Sequence, residues 1–148
     1  MLNQHSVTIL LVEDDPGHAR LIEKNLRRAN IKNNLVQVDN GQSALDYLFQ
    51  EGEFEGTTRP PSLLVLLDLN IPVLDGYQVL KRMKSEECLK CIPVVILTTT
   101  DDTREVVKCY ELGCNVYVTK PVDYEKFAEA IRNLGLFLSV ITIAPENN

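Results

Sequence analysis

The chain has 148 residues, of which 45% are hydrophobic and 24% charged, with a net charge of −6. That suffices for one domain burying roughly 70% of its unfolded surface, and the acidic balance argues against nucleic acid, which recruits basic residues to displace phosphate counterions. The apolar stretch 134–143 falls far short of the roughly 20 residues that span a membrane. The N-terminus lacks the basic start and long apolar segment of a signal peptide, so the expected location is the cytoplasm.

The first strand-like run, Val7 to Val12, ends on Glu13-Asp14-Asp15. Asp15-Pro16 then offers a cap followed by proline at the first helical position, and Ala19, Ile22, Leu26 and Ala29 repeat along one helical face. A second run starts at Leu35, and Asn40-Gly41 opens a helix carrying Ala44, Leu45 and Leu48. The stretch 51–62, rich in glycine, proline and polar residues, exceeds the usual short connection and reads as a surface loop. A third run, Leu63 to Leu67, ends on Asp68, and Asp75-Gly76 precedes a helix with Val79, Leu80 and Met83. The fourth run, Pro93 to Leu97, ends on Thr98. Asp102 or Thr103 caps the next helix, which holds Val106, Val107 and Tyr110 and stops at Gly113. Val116 to Val118 is closed by Thr119-Lys120-Pro121, and Asp123 caps a last helix with Phe127, Ala128, Ile131 and Leu134.

Short, wholly apolar runs suit strands buried on both faces. Five strand-like runs, each followed by a helical stretch, predict a single doubly wound α/β domain. Ligands bind such sheets at the carboxyl ends of the strands. That edge would gather Glu13, Asp14, Asp68, Thr98 and Lys120. Asp15 fits a cap better than a ligand. Cys88 and Cys91 have a C-x-x-C spacing, but no second pair or histidine pair follows at metal-site distance, so reduced thiols are expected. His5 and His18 are isolated and fit surface positions better than ligand positions.

Carboxylates a few ångströms apart repel by roughly 4 kcal/mol per pair at an effective dielectric near 20. Raised pKa values or a bound cation would relieve this. Oxygen ligands with an open aqueous side suit Mg²⁺, while an added hydroxyl and ammonium suit a phosphoryl anion. The combination points to Mg²⁺-assisted phosphoryl transfer onto Asp68.

The segments Ile9 to Asp15, Leu67 to Tyr77, Pro93 to Thr98 and Tyr117 to Pro121, in that order, resemble the receiver domain of two-component response regulators over about residues 7–134. The resemblance implies a flavodoxin-like (βα)5 fold with a parallel five-stranded sheet and phosphorylation of Asp68 by a sensor histidine kinase. It also implies slow loss of the phosphate catalysed by the domain itself, rather than a metabolic enzyme. Glu13, Asp14, Asp68 and the Asn70 main-chain carbonyl would hold Mg²⁺, with Glu13 acting through water. Thr98 and Lys120 would contact phosphoryl oxygens, and Tyr117 would be the switch aromatic. Pro72 and Asp75-Gly76 would be scaffold, and Thr99 would narrow access to Asp68. The long loop before the third strand, the 97–100 run and the apolar tail are similar to single-domain regulators paired with cyanobacterial phytochrome kinases. That implies a phosphorelay, with a histidine phosphotransfer protein as a further partner.

A chemotaxis-type regulator docking on a motor or another target is the rival reading. An FMN carrier is disfavoured because Glu13-Asp14-Asp15 would repel the cofactor phosphate. An aspartyl-phosphate hydrolase would place a second acid where Asn70 stands. The tail residues Leu136, Phe137, Leu138, Val140, Ile141 and Ile143, with an edge strand at 116–118, point to a homodimer through the fourth helix, fifth strand and fifth helix.

Overall fold

The computed structural model describes residues 7–121 and 123–138. His5, Val140, Ile141 and Ile143 lie outside the described residues, as does the side chain of Phe137. The elements are β1 (Thr8–Val12), α1 (Pro16–Arg28), β2 (Leu35–Val38), α2 (Gly41–Phe49), β3 (Leu63–Leu67), α3 (Gly76–Ser85), β4 (Val94–Thr98), α4 (Thr103–Leu112), β5 (Val116–Thr119) and α5 (Tyr124–Leu138). All five strands are parallel, in the order β2-β1-β3-β4-β5. The order reverses at β1 and β3, and the carboxyl end of such a switch point is where doubly wound sheets bind ligands.

Every residue of β1, β3 and β4 is buried. Alternation along each strand divides the apolar residues between two cores. Leu10, Val12, Val65, Leu67, Val94 and Ile96 pack with Leu45, Leu80 and Cys109 of α2, α3 and α4. Ile9, Leu11, Leu64, Leu66, Val95 and Leu97 pack with Ile22, Leu26, Phe127 and Ile131 of α1 and α5. The helix starts follow the expected caps. Asp15 accepts from Gly17 N at 2.8 Å and His18 N at 3.1 Å, Asn40 from Ser43 N at 2.8 Å, and Asp75 from Gln78 N at 3.0 Å. Asp102 accepts from Arg104 N and Asp123 from Glu125 N, both at 2.8 Å. Proline 93, which has no N–H to donate, stays outside β4 and offers only its carbonyl, to Val65 N at 3.0 Å.

One sequence expectation gains detail and another changes. Residues 51–62 are a largely exposed segment, as expected of a surface loop, and contain a 3₁₀ turn, Gly52–Phe54. Phe54 meets the Tyr47 ring edge-on at 5.2 Å, and Arg59 Nη1 donates to Leu48 O at 2.7 Å. On α4, Val107 and Tyr110 point outward, 48% and 49% exposed, while Cys109 is the buried residue. An amphipathic stripe identifies a helix but does not say whether a neighbouring sheet covers its whole width.

The loop from β3 to α3 is clasped by two glycines. A Cβ on Gly76 would strike the Asp68 carbonyl, and one on Gly41 would strike the Leu74 carbonyl. Between them Val73 adopts φ 69° and is 75% exposed. A β-branched residue is strained there, and the exposed side chain contributes little packing in return. Val73→Gly is expected to stabilise the protein by about 1 kcal/mol, read as a higher midpoint in urea unfolding.

Candidate functional site at the carboxyl edge of the sheet

The strand alternation determines which side chains meet at this edge. Glu13 and Asp68 continue the parity of Leu11 and Leu66, and Lys120 that of Val118, so all three point toward the α1/α5 layer. Glu13 is 1% exposed, Asp68 8% and Lys120 3%. The Lys120 ammonium donates to Glu13 Oε1 and, at 3.0 Å, to Asp68 Oδ2. Asp14, of opposite parity, lies exposed at the rim. Asp15 N donates to Glu13 Oε2 at 3.2 Å, and Asn70 N to Asp68 Oδ1 at 3.1 Å, so the backbone after each strand fixes the carboxylate before it.

Thr98 and Tyr117 belong to the other parity. Thr98 is fully buried, and its Oγ1 has no hydrogen-bond partner. A buried hydroxyl without a partner costs about 1–3 kcal/mol, a cost that an incoming acceptor would remove. Its carbonyl accepts from Lys120 N at 2.6 Å, tying β4 to the residue after β5. Half-buried Tyr117 donates from its hydroxyl to Thr100 O at 2.5 Å, just beyond Thr98. Burial pushes the phenol up to about 12, so it stays a neutral donor. Thr99 is exposed beside this pair.

Burial pushes Glu13 up to about 7, opposed by the hydrogen bond and charge of Lys120. Asp15 is shifted the other way, chiefly because the His18 backbone N–H donates to it, as expected of a cap. Single ligand oxygens of Glu13, Asp14 and Asp68 lie within 4.8 Å of one another. Three hard oxygen donors at that spacing fit a divalent cation. The unpartnered Thr98 hydroxyl and the ammonium supply the donors that an accompanying anion needs.

One sequence expectation holds only in part. The His18 side chain is at the surface, 38% exposed, but it is not isolated: Nδ1 is 3.3 Å from Lys120 Nζ, and the ring rests against Phe127 at 5.4 Å between centroids. The available signal was its position three residues after the Asp15 cap, in the helical turn facing the acidic edge. Cys88 and Cys91 are exposed in the turn between α3 and β4, away from this edge, and are free thiols.

Residues 9–132 match the family model for the response regulator receiver domain. The chain is 38% identical over 136 residues to the response regulator Rcp1 of Synechocystis, covering 91% of each protein. The crystal structure of Mn²⁺-bound Rcp1 superposes with a TM-score of 0.85 at 37% identity, over 93% of this chain and 98% of that one. A response regulator receiver domain from Rhodospirillum rubrum is 50% identical with a TM-score of 0.87, over 95% and 99%. The phosphorylated cyanobacterial phytochrome response regulator RcpA is 38% identical with a TM-score of 0.83, over 92% and 96%. Fold, strand-end chemistry and relatives therefore agree: the chain belongs to the response regulator receiver family.

Proposed function

We propose that this protein is a response regulator that takes a phosphoryl group from a sensor histidine kinase onto Asp68. The observation that carries the reading is the convergence of a buried ammonium and an unpartnered hydroxyl on a carboxylate flanked by two more. An Asp68 oxygen attacks phosphorus, an O–P bond forms, and the donor's N–P bond breaks with its electron pair leaving on the kinase imidazole. Lys120 and Thr98 then donate to phosphoryl oxygens. Glu13, Asp14, Asp68 and the Asn70 carbonyl would hold Mg²⁺, which when bound screens the carboxylates and orients a phosphoryl oxygen. Thr98 acts as the lever: drawn toward the phosphoryl group, it lets Tyr117 turn inward and remodels the face beside β5.

The likeness to RcpA, a cyanobacterial phytochrome response regulator, supports a phytochrome-type kinase as donor; a histidine phosphotransfer protein is proposed as a further partner. Among the described residues no helix is long and apolar enough to cross a membrane, which suits a cytoplasmic partner of such a kinase. Intact-mass measurement after incubation with acetyl phosphate tests the reading. One phosphoryl group is expected with Mg²⁺ and none with EDTA, and equal labelling in both would end the metal-assisted scheme.

The same reading includes a homodimer through α4, β5 and α5. Val107, Tyr110, Tyr124 and Leu136 are exposed large apolar residues on α4 and α5, and β5 is an edge strand. Leu138, by contrast, is buried in its own domain. Sedimentation of the full chain is expected to show a dimer that Tyr110→Asp converts to monomer. A monomeric full-length protein would remove this part.

A further inference from the structure

Lys120 has three ammonium hydrogens and three neighbours: Glu13 Oε1, Asp68 Oδ2 at 3.0 Å and His18 Nδ1 at 3.3 Å. An ammonium only donates, so this contact is a hydrogen bond in the tautomer that presents the Nδ1 lone pair and carries the ring hydrogen on Nε2. Two of these acceptors are claimed elsewhere during the proposed transfer. An Asp68 oxygen becomes bonded to phosphorus, and Glu13 belongs to the carboxylate group suited to a cation. His18 is the acceptor that the chemistry leaves intact.

Its placement is over-determined. The backbone of His18 is held by the Asp15 cap, whose carboxylate accepts from His18 N at 3.1 Å. Its ring is held against Phe127, a residue of α5 only 4% exposed. Asp15 Oδ2 and Glu13 Oε1 each lie 3.9 Å from Nδ1, too far for hydrogen bonds, so the short contact of this nitrogen is with Lys120. A lysine stem is flexible, and an ammonium is a point charge without built-in direction. A fixed third acceptor compensates for both.

We propose that His18 is a positioning residue that holds the Lys120 ammonium over Asp68 while the phosphoryl group arrives. The proposal rests on Asp68 being the acceptor. It extends the site from strand-end residues to the first turn of α1 and, through Phe127, to α5.

Two variants separate the lone pair from the packing. His18→Phe keeps a ring against Phe127 but offers Lys120 no acceptor. His18→Asn places an amide oxygen near the position of Nδ1 and gives up the ring contact. Phosphorylation by acetyl phosphate at saturating Mg²⁺ is followed in wild type and both variants, fitting maximal rate and half-saturating donor separately. Mg²⁺ affinity is measured by titration without donor. The expected result is a maximal rate about tenfold lower in His18→Phe, with Mg²⁺ affinity unchanged and His18→Asn close to wild type. Equal rates in wild type and His18→Phe would overturn the proposal. So would equal slowing of both variants, which would assign the effect to packing. If wild type itself carries no label on Asp68, the acceptor assignment fails first, and that outcome is distinct because it precedes any comparison of variants.

Discussion

Asp68→Asn is expected to reduce phosphoryl incorporation to background, the largest functional effect of any single change in this protein. The amide has nearly the same shape, and its oxygen can still accept from Lys120 Nζ, which lies 3.0 Å from the carboxylate. What it lacks is an anionic oxygen able to attack phosphorus. The fold has little reason to suffer: Lys120 keeps Glu13 and the amide oxygen as acceptors, and one of three mutually repelling carboxylates is gone. The cost is the Asn70 N hydrogen bond, whose acceptor oxygen becomes the amide nitrogen. Intact-mass analysis after acetyl phosphate and Mg²⁺ reads the label, and a thermal melt confirms the fold. Undiminished labelling of the variant would refute Asp68 as the acceptor. A folded, unlabelled protein is the expected pair of results.

Lys120→Ala carries the largest expected effect on stability. It removes the ammonium from between Glu13 and Asp68, which are 1% and 8% exposed, and breaking a buried pair from one side costs roughly 3–5 kcal/mol. The loss depends on pH, with a definite sign. Burial pushes the folded-state Glu13 up to about 7 from an ordinary value of 4.5, even though the ammonium opposes the shift. A carboxyl raised on folding costs nothing below its unfolded value and destabilises the protein as pH rises through the folded one. Without the lysine the folded value rises further. The Glu13 share of the variant's deficit should therefore be small near pH 5 and grow through neutrality toward pH 8. Urea unfolding of wild type and variant across that range, without divalent metal, reads it directly. Adding Mg²⁺ should recover part of the loss, because a ligand that binds only the folded state stabilises it. A deficit independent of pH would mean that Glu13 is not the group left exposed by the substitution. The phosphorylated variant should also lose the phosphorylation-dependent change at the α4, β5 and α5 face, since the proposed anchor for the added charge is missing.

Both predictions start from residues whose chemistry is visible along the chain, yet the second needs the fold. In the sequence Lys120 is a lysine before a proline, as compatible with the surface as with a site. Four strands, β1, β3, β4 and β5, must lie in register before its parity aims it at Glu13 and Asp68. The partners are 107 and 52 residues away. No local pattern carries contacts of that span.

The same division runs through the whole molecule. Sequence alone determined the three central strands, β1, β3 and β4, because residues buried on both faces must be largely apolar. It also determined the helix starts, because Asp15, Asn40, Asp75, Asp102 and Asp123 cap N–H groups only two or three residues ahead. It placed Glu13, Asp14, Asp68, Thr98 and Lys120 at one sheet edge, because parallel strands share a direction and so share an end. Tertiary structure decided everything that depends on which side of the sheet a neighbour occupies. It left Val107 and Tyr110 of α4 uncovered, and it set Leu74 O where only a glycine at position 41 fits. It brought His18, an unremarkable residue of an amphipathic helix, to 3.3 Å from Lys120. Capping and periodicity are short-range and written in adjacent residues, whereas the meeting of α1, β5 and α5 is settled only when the sheet closes its two cores.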